Sequence, residues 1–185
     1  MESGLMWLWM GVLLIRVGEL LIARSNTRWA IAQGGYEVGR EHYPIIVGVH
    51  LLFFLCLLIE TEVRGGTAPD WWTIPLTAFL IVQVFRIWCL FSLGRYWNIR
   101  IFVIPGHHPV LRGPYRYLRH PNYLVVILEL FILPLIFNAW WTALGISLLN
   151  AWVLLTLRIP IEEKALAEAI PYEEVMGKKR RFLPW

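Results

Sequence analysis

"PNYLVVILELFILPLIFNAWWTALGISLLNAWVLLTLRIP", residues 121–160, decides the fold. Two apolar runs, Pro121–Phe137 and Ala139–Leu157, are separated by almost nothing, the step Phe137-Asn138-Ala139. Apolar helices joined so tightly form an antiparallel hairpin. The second run carries no charge, and the first carries a lone acid, Glu129. The hairpin brings the start of one run and the end of the other to the same side, so His120 and Arg158 come near one another.

Three more apolar stretches precede the hairpin: Leu5 to Ala23, Pro44 to Ile59, and Trp71 to Phe91. With the hairpin they give an all-α integral membrane protein of five transmembrane helices. Composition agrees. The 185-residue chain is 58% hydrophobic and only 16% charged, whereas a soluble domain carries about a quarter charged residues. Eleven tryptophans suit the bilayer interface. The first stretch lacks a basic start and a small-residue cleavage site, so it is expected to be a retained span, not a signal peptide. One domain is expected over 1–185: three spans through residue 91, then a long loop, the hairpin and a C-terminal segment over 92–185.

The net charge of +4 reads as a topology signal and not as nucleic-acid binding. With the N-terminus outside, 14 of the 17 Lys and Arg residues fall in the two inner loops and the tail. Arg64 alone falls outside, and Arg16 and Arg86 lie within spans. This bias predicts a cytosolic C-terminus. Cys56 and Cys89 lie in apolar segments and suggest neither a disulfide framework nor a metal site. His107 and His108 have no further ligand at metal-site spacing.

Within the spans, Arg16 and Glu19 are three apart and are expected to pair. Glu129, costly in lipid, is expected to pair with Arg86 or Arg16. It is also six residues beyond Tyr123, which points it to a different helix face. His50 and Gln83 are expected to hydrogen-bond between helices.

The chemistry concentrates in the long loop, "SLGRYWNIRIFVIPGHHPVLRGPYRYLRH" (92–120), and just after the hairpin. "IRIFVIPG" reads as a short extended segment ending in a turn at Pro105-Gly106. Pro121 suits the first turn of a helix, whose open N–H groups offer a site for a carboxylate. Arg116, Arg119 and His120 add donors at that point. In "RIPIEE" (158–163), Glu162 is four residues from Arg158, the spacing at which helical side chains meet. Pro160 between them predicts a kink or a fresh helix start. Blander readings exist: a lipid-headgroup anchor for "RHPNY", and a surface ion pair of little energetic weight for "RIPIEE". The C-terminal segment, "EEKALAEAI" and "PYEEVMGKKRRFLPW", suits either a lid over the site or a basic anchor on anionic lipid.

In order and spacing, "HHPVLRGPYRYLRHPNY" (107–123) followed after one hairpin by "RIPIEEKAL" (158–166) resembles the isoprenylcysteine carboxyl methyltransferase family. The resemblance covers roughly the last 90 residues, and the N-terminal half is similar to a short bacterial branch. It implies a bacterial cytoplasmic-membrane enzyme that uses S-adenosyl-L-methionine to methylate an acidic oxygen of a lipophilic acceptor. That acceptor would be a prenylcysteine or an alkylpyrone- or alkylresorcinol-type lipid arriving from the bilayer. Carried over by position, His107, His108, Pro109, Val110 and Tyr115 match the cofactor-cradling loop. His120, Pro121, Asn122 and Tyr123 match the cofactor site at the helix start, and Arg100 matches a further contact. Glu162 matches a cofactor-contacting acid and Arg158 the arginine facing the substrate, the pair assigned to catalysis. Leu124 stands where the family often has glycine. Two rival readings remain: a sterol-reductase-type membrane enzyme using NADPH, which shares the "RHPNY"-like stretch, and a non-catalytic module binding lipid or partner helices.

Overall fold

The structure, a computed structural model, describes residues 3–182. It is a helical membrane protein. Helix α1 (Ser3–Ala32) is followed by a short strand β1 (Tyr36–Val38), then α2 (Tyr43–Val63) and α3 (Thr73–Leu93). The long loop contains strand β2 (Ile101–Val103) and leads to α4 (Pro121–Ile136). After the turn come α5 (Trp140–Val153), a π-helical turn over Leu154–Arg158, α6 (Ile159–Ala169) and the short α7 (Tyr172–Met176).

Among the described residues, four helical segments are long and apolar enough to cross a membrane: Gly4–Ala32, Tyr43–Val63, Thr73–Tyr96 and Trp140–Ala169. α4, with 16 residues, is the shorter apolar fifth. The lipid-facing character is plain on the surface, where Trp7, Leu51, Val84, Phe91 and Trp152 are exposed. Such a large apolar surface would be untenable in water.

The hairpin forms as expected. Asn138 takes a positive φ of 60°, the left-handed conformation that asparagine tolerates, and Ala139 N–H closes back on the Pro134 carbonyl at 2.9 Å. Glu60, near the end of α2, caps the start of α5: its carboxylate accepts the Trp141 and Thr142 amides and the Thr142 hydroxyl. That contact pins α2 to the hairpin at the end away from the basic loops. An apolar core of Phe53, Leu57, Leu133, Ile136, Phe137 and Val153 fills the space between α2, α4 and α5.

Three expectations change. α1 runs nine residues past the expected end at Ala23, because Arg24 and Arg28 prolong the helix beyond its apolar stretch without breaking it. The fold is helical as expected, and the extended segment gains a partner that was not foreseen: Tyr36, Glu37 and Val38 pair antiparallel with Val103, Phe102 and Ile101. The "IRIFVIPG" segment is thus one strand of a ribbon, with its turn at Pro105 and a positive φ at Gly106. Finally, span five does not end at Arg158. Proline lacks the N–H that would close on the carbonyl of residue 156. The helix accommodates this by widening, so that Ile159 N–H reaches Leu154 O, and then continues as α6. π-turns of this kind occur often at functional sites. α6 then lies on the ribbon, burying Ile101, Val103 and Ala165 together.

Candidate functional site

The basic loops, the start of α4 and the junction of α5 with α6 gather at one end of the bundle. Two cavities meet there. The first is a cleft of about 150 Å³, open to solvent and roofed by the loop and the C-terminal segment. Its walls include His107, His108, Pro109, Val110, Tyr115 and Glu162. The second is a larger chamber of about 270 Å³ inside the helical bundle, apolar over most of its lining. Asn122, Tyr123 and Arg158 face it, with Phe53, Phe54 and Leu130 deeper in. Asn98 lines both.

The wall between the cavities is a short polar chain. Arg158 donates from Nε to the Tyr123 hydroxyl at 2.9 Å, and that hydroxyl donates to Glu162 Oε2. The expected direct Arg158–Glu162 pair is therefore replaced by a three-membered relay. The π-turn swings Arg158 toward α4, and Tyr123 fills the space between the two side chains. Arg158 also donates from Nη2 to the Ile99 carbonyl at 2.9 Å. Of five guanidinium hydrogens, two are thus engaged, and among the described residues Nη1 has no hydrogen-bond partner. Glu162 likewise keeps Oε1 free of hydrogen bonds among the described residues. The chain presents an open guanidinium edge toward the chamber and an open carboxylate oxygen toward the cleft.

The cleft's loop is fixed by specific contacts. His107 Nδ1 lies 2.6 Å from the Tyr96 hydroxyl, and Trp29 packs edge-on to Tyr96. Asn26 donates to the Trp97 carbonyl at 2.7 Å, and Asn98 donates to Thr27 Oγ1 at 2.9 Å, tying α1 to the loop. Gly113 adopts a positive φ of 53° at a spot where a Cβ would run into Ser92 Oγ and Trp88 Nε1 on α3. Only glycine fits so close an approach. The Tyr115 hydroxyl is buried with no protein partner, and burial pushes its phenol well above its ordinary range. It is a neutral donor on a cleft wall that nothing among the described residues satisfies.

Three predicted site residues stand elsewhere. Arg100 pairs with Glu37 at 3.0 Å and stacks over Tyr43 at 4.5 Å, lining neither cavity. His120 is buried against Glu163, with Nε2 3.0 Å from Oε1. Pro121 is fully buried at the first turn of α4. The carboxylate site expected at this helix start is largely closed. Tyr123 N–H turns back to His120 O, while Arg119 and His120 N–H groups bind the carbonyls of Arg180 and Arg181. Leu124, the departure from the family pattern, also faces neither cavity.

The partner of that helix start was hidden in the sequence. Glu163 collects His120, Arg119 and Arg181, the last at 2.6 Å. Arg119 also donates to the Gly177 and Lys179 carbonyls at 2.7 Å each. The bond to Glu163 raises the Arg181 guanidinium further above its usual value. Residues 177–181 form a strap clipped to the "RHPNY" turn, and Tyr172 and Met176 just before it line the cleft. The doubled acid "EE" at 162–163 was the available signal: on a helix two adjacent acids point to different faces, one to the cleft and one to the strap.

Fold and site together define an integral membrane protein whose polar cleft and apolar chamber share one wall. Residues 74–168 match the isoprenylcysteine carboxyl methyltransferase (ICMT) family. An uncharacterized Bacillus subtilis protein, YpbQ, is 44% identical over 163 residues, covering 88% of this chain and 96% of its own length. An uncharacterized Haemophilus influenzae protein is 27% identical over 161 residues, covering 86% and 93%. The chain belongs to the isoprenylcysteine carboxyl methyltransferase family and is a membrane methyltransferase.

Proposed function

We propose that the protein is an S-adenosylmethionine-dependent O-methyltransferase whose acceptor is the acidic oxygen of a lipophilic molecule: a carboxylate, enol or phenol. One observation carries this reading: the Arg158–Tyr123–Glu162 relay separates a solvent-open polar cleft from an apolar chamber within the bundle. A polar donor and a greasy acceptor need such a pair of compartments with one thin boundary.

The cleft's residues fit the donor. S-adenosylmethionine supplies an electrophilic methyl group on a sulfonium, together with a carboxylate, an ammonium and an adenosine. Glu162 Oε1 is the acid available to a cation, and Tyr115 offers an unpaired neutral hydrogen-bond donor. His107, His108 and Arg95 supply donors for anionic or polar groups, while Ile104, Val110 and Leu166 give an apolar surface for a flat ring.

On the other side Arg158 holds the acceptor. An ionised carboxylate needs no general base at neutral pH, and the free edge of the guanidinium can grip it with parallel hydrogen bonds. Tyr123 fixes the fork's direction, and the Ile99 carbonyl fixes its plane. Catalysis is then mostly orientation and exclusion of water, with no covalent enzyme intermediate.

The test is direct. Purified protein is incubated with radiolabelled S-adenosylmethionine and a total membrane lipid extract, and the labelled product is identified. Arg158→Lys should lose most turnover, because a point charge cannot reproduce the fork. Full turnover in that variant removes Arg158 from the acceptor site. Calorimetry with S-adenosylhomocysteine against NADPH decides between methyl transfer and a reductase reading, and binding of neither would favour a non-catalytic module.

A further inference from the structure

The methyl-transfer wall uses only one end of the chamber. The other end contains a cluster that the proposed reaction does not employ. Arg86, on α3, binds Glu19 of α1 through Nε and Nη2 and Glu129 of α4 through Nη1. Arg16 joins the same two acids, Glu19 at 2.7 Å and Glu129 at 3.0 Å. Gln83 adds a bond to Glu129 at 2.6 Å. Glu19, Arg86 and Glu129 are buried, yet Arg16, Glu19, Arg86 and Glu129 all line the chamber.

Six residues set Glu129 about 120° around α4 from Tyr123 and about 9 Å further along its axis. Val126, Leu130 and Leu133 fill that arc, so one broad face of the helix lines the chamber. The chamber therefore has polar groups at two levels of α4 with apolar wall between them.

His50 completes the inner pole. It was expected to bond between helices, but Nδ1 instead lies 2.8 Å from the Ile46 carbonyl of its own helix. In the neutral ring that contact places the proton on Nδ1 and leaves a lone pair on Nε2. Nε2 has no hydrogen-bond partner among the described residues, and the ring lines the chamber. The pole thus offers an open acceptor on His50 beside the partly exposed guanidinium of Arg16. Two arginines and two glutamates cancel in charge. A second ionic group on a ligand would find no net counter-charge there, whereas an uncharged group with both donor and acceptor character is matched by His50 and Arg16.

We propose that this cluster is a second substrate subsite, taking an uncharged hydroxyl or similar hydrogen-bonding group part-way along the acceptor lipid, deeper in the chamber than the oxygen held at Arg158. The inference rests on the chamber being the acceptor site. It predicts that the natural acceptor is not a plain hydrocarbon-tailed acid but carries a polar group part-way along its length.

The probes are palmitate and a series of hydroxypalmitates with the hydroxyl moved along the chain, titrated onto the detergent-solubilised full-length protein and onto His50→Leu. In the wild type, a mid-chain hydroxyl should tighten binding about tenfold over palmitate, as one good hydrogen bond to a desolvated site does. Hydroxyls next to the carboxylate or at the chain terminus should give little. His50→Leu removes only a bond within its own helix turn, so folding should survive. It should bind palmitate as the wild type does and lose the mid-chain preference. Absence of a positional preference, persistence of it in His50→Leu, or failure of every acid to bind would overturn the subsite. S-adenosylhomocysteine binding, measured in the same samples, reports on the methyl-donor cleft separately, so loss of the subsite and loss of the methyltransfer reading are told apart.

Discussion

Tyr123→Phe removes one oxygen atom and tests the wall between the compartments. The ring itself should stay, packed 5.4 Å from the His120 ring. Two hydrogen bonds disappear, one from Arg158 Nε and one to Glu162 Oε2. Each engages a charged group, and such bonds contribute about 1.5–3 kcal/mol. The loss is not the simple sum. Arg158 and Glu162 are one helical turn apart and can relax into a direct pair, recovering roughly half. That leaves a net cost of about 1.5–3 kcal/mol, equivalent to roughly 10- to 150-fold in kcat/KM if the bonds serve orientation in the transition state. Steady-state assays varying donor and acceptor separately provide the measurement. Arg158 borders the chamber and Glu162 the cleft, so the KM for both substrates should rise while kcat falls. If only the yield of folded enzyme drops, with kcat and both KM values intact, Tyr123 is a packing residue and the relay has no part in the reaction.

Three further outcomes follow from the geometry. Gly113→Ala should leave little folded protein, since the left-handed backbone and the approach to Ser92 and Trp88 are both violated; thermal unfolding in detergent reads the loss, and an unchanged melting temperature would contradict the close packing of the loop on α3. Glu163→Gln should loosen the strap held through His120, Arg119 and Arg181; trypsin should then cut sooner in 178–181, and S-adenosylhomocysteine should bind several-fold more weakly, whereas an unaltered digestion rate would mean the strap is held by its backbone bonds alone. Burial raises the Tyr115 phenol, and burial with Glu162 and Glu163 nearby raises that of Tyr172, so the folded chain retains protons that the unfolded chain releases near pH 10. The contribution of these two tyrosines should therefore be flat below about pH 9 and fall as pH rises past 10, and melting temperatures measured between pH 8 and about pH 11 check the sign.

The hairpin and the helical membrane fold were legible because their signals are local: apolar runs, a two-sided charge bias and a connection too short for anything but a turn. The basic loop at 92–120 was legible in composition, and five of its expected residues, with Glu162 of α6, line the cleft. What escaped depends on distant partners. "YEV" at 36–38 is too short to read as a strand until Ile101–Val103 lies beside it. The positive residues at 178–181 look like a lipid anchor until Glu163 and the carbonyls of 177–181 are seen to meet Arg119 and His120. Arg100 matched a family position in the linear pattern, but its length and charge are spent on Glu37, which sits on the neighbouring strand. Glu129 illustrates the opposite case. Its partners were foreseen from the cost of an acid in lipid, but its facing was misjudged, because one broad face of α4, about 120° wide, carries both it and Tyr123.

The inner cluster also bears on how a lipid reaches the chamber. α1 makes its closest backbone approaches to the 94–96 turn and to β2, at the basic end, and few to the other membrane helices. Across the membrane it is held by a few apolar contacts, among them Leu5 and Val12 on the core, and by Arg16 and Glu19. A buried ion pair is a costly tether compared with apolar packing of equal volume. Its energetic advantage is directionality: the charges fix one arrangement of α1 while leaving its flanks unfilled. Apolar side chains dense enough to hold α1 equally well would occupy the space that the chamber now provides. Breaking the tether with Arg86→Gln, which leaves Glu19 and Glu129 sharing Arg16 as their one cation and so leaves one buried charge uncompensated, should cost about 3–5 kcal/mol. The loss should appear as a lowered melting temperature. Hydrogen exchange should rise in α1 before it rises in α4 and α5, which the Glu60 cap and the apolar core hold independently. Uniform loosening of all five helices would show instead that the cluster supports the whole bundle and not α1 in particular.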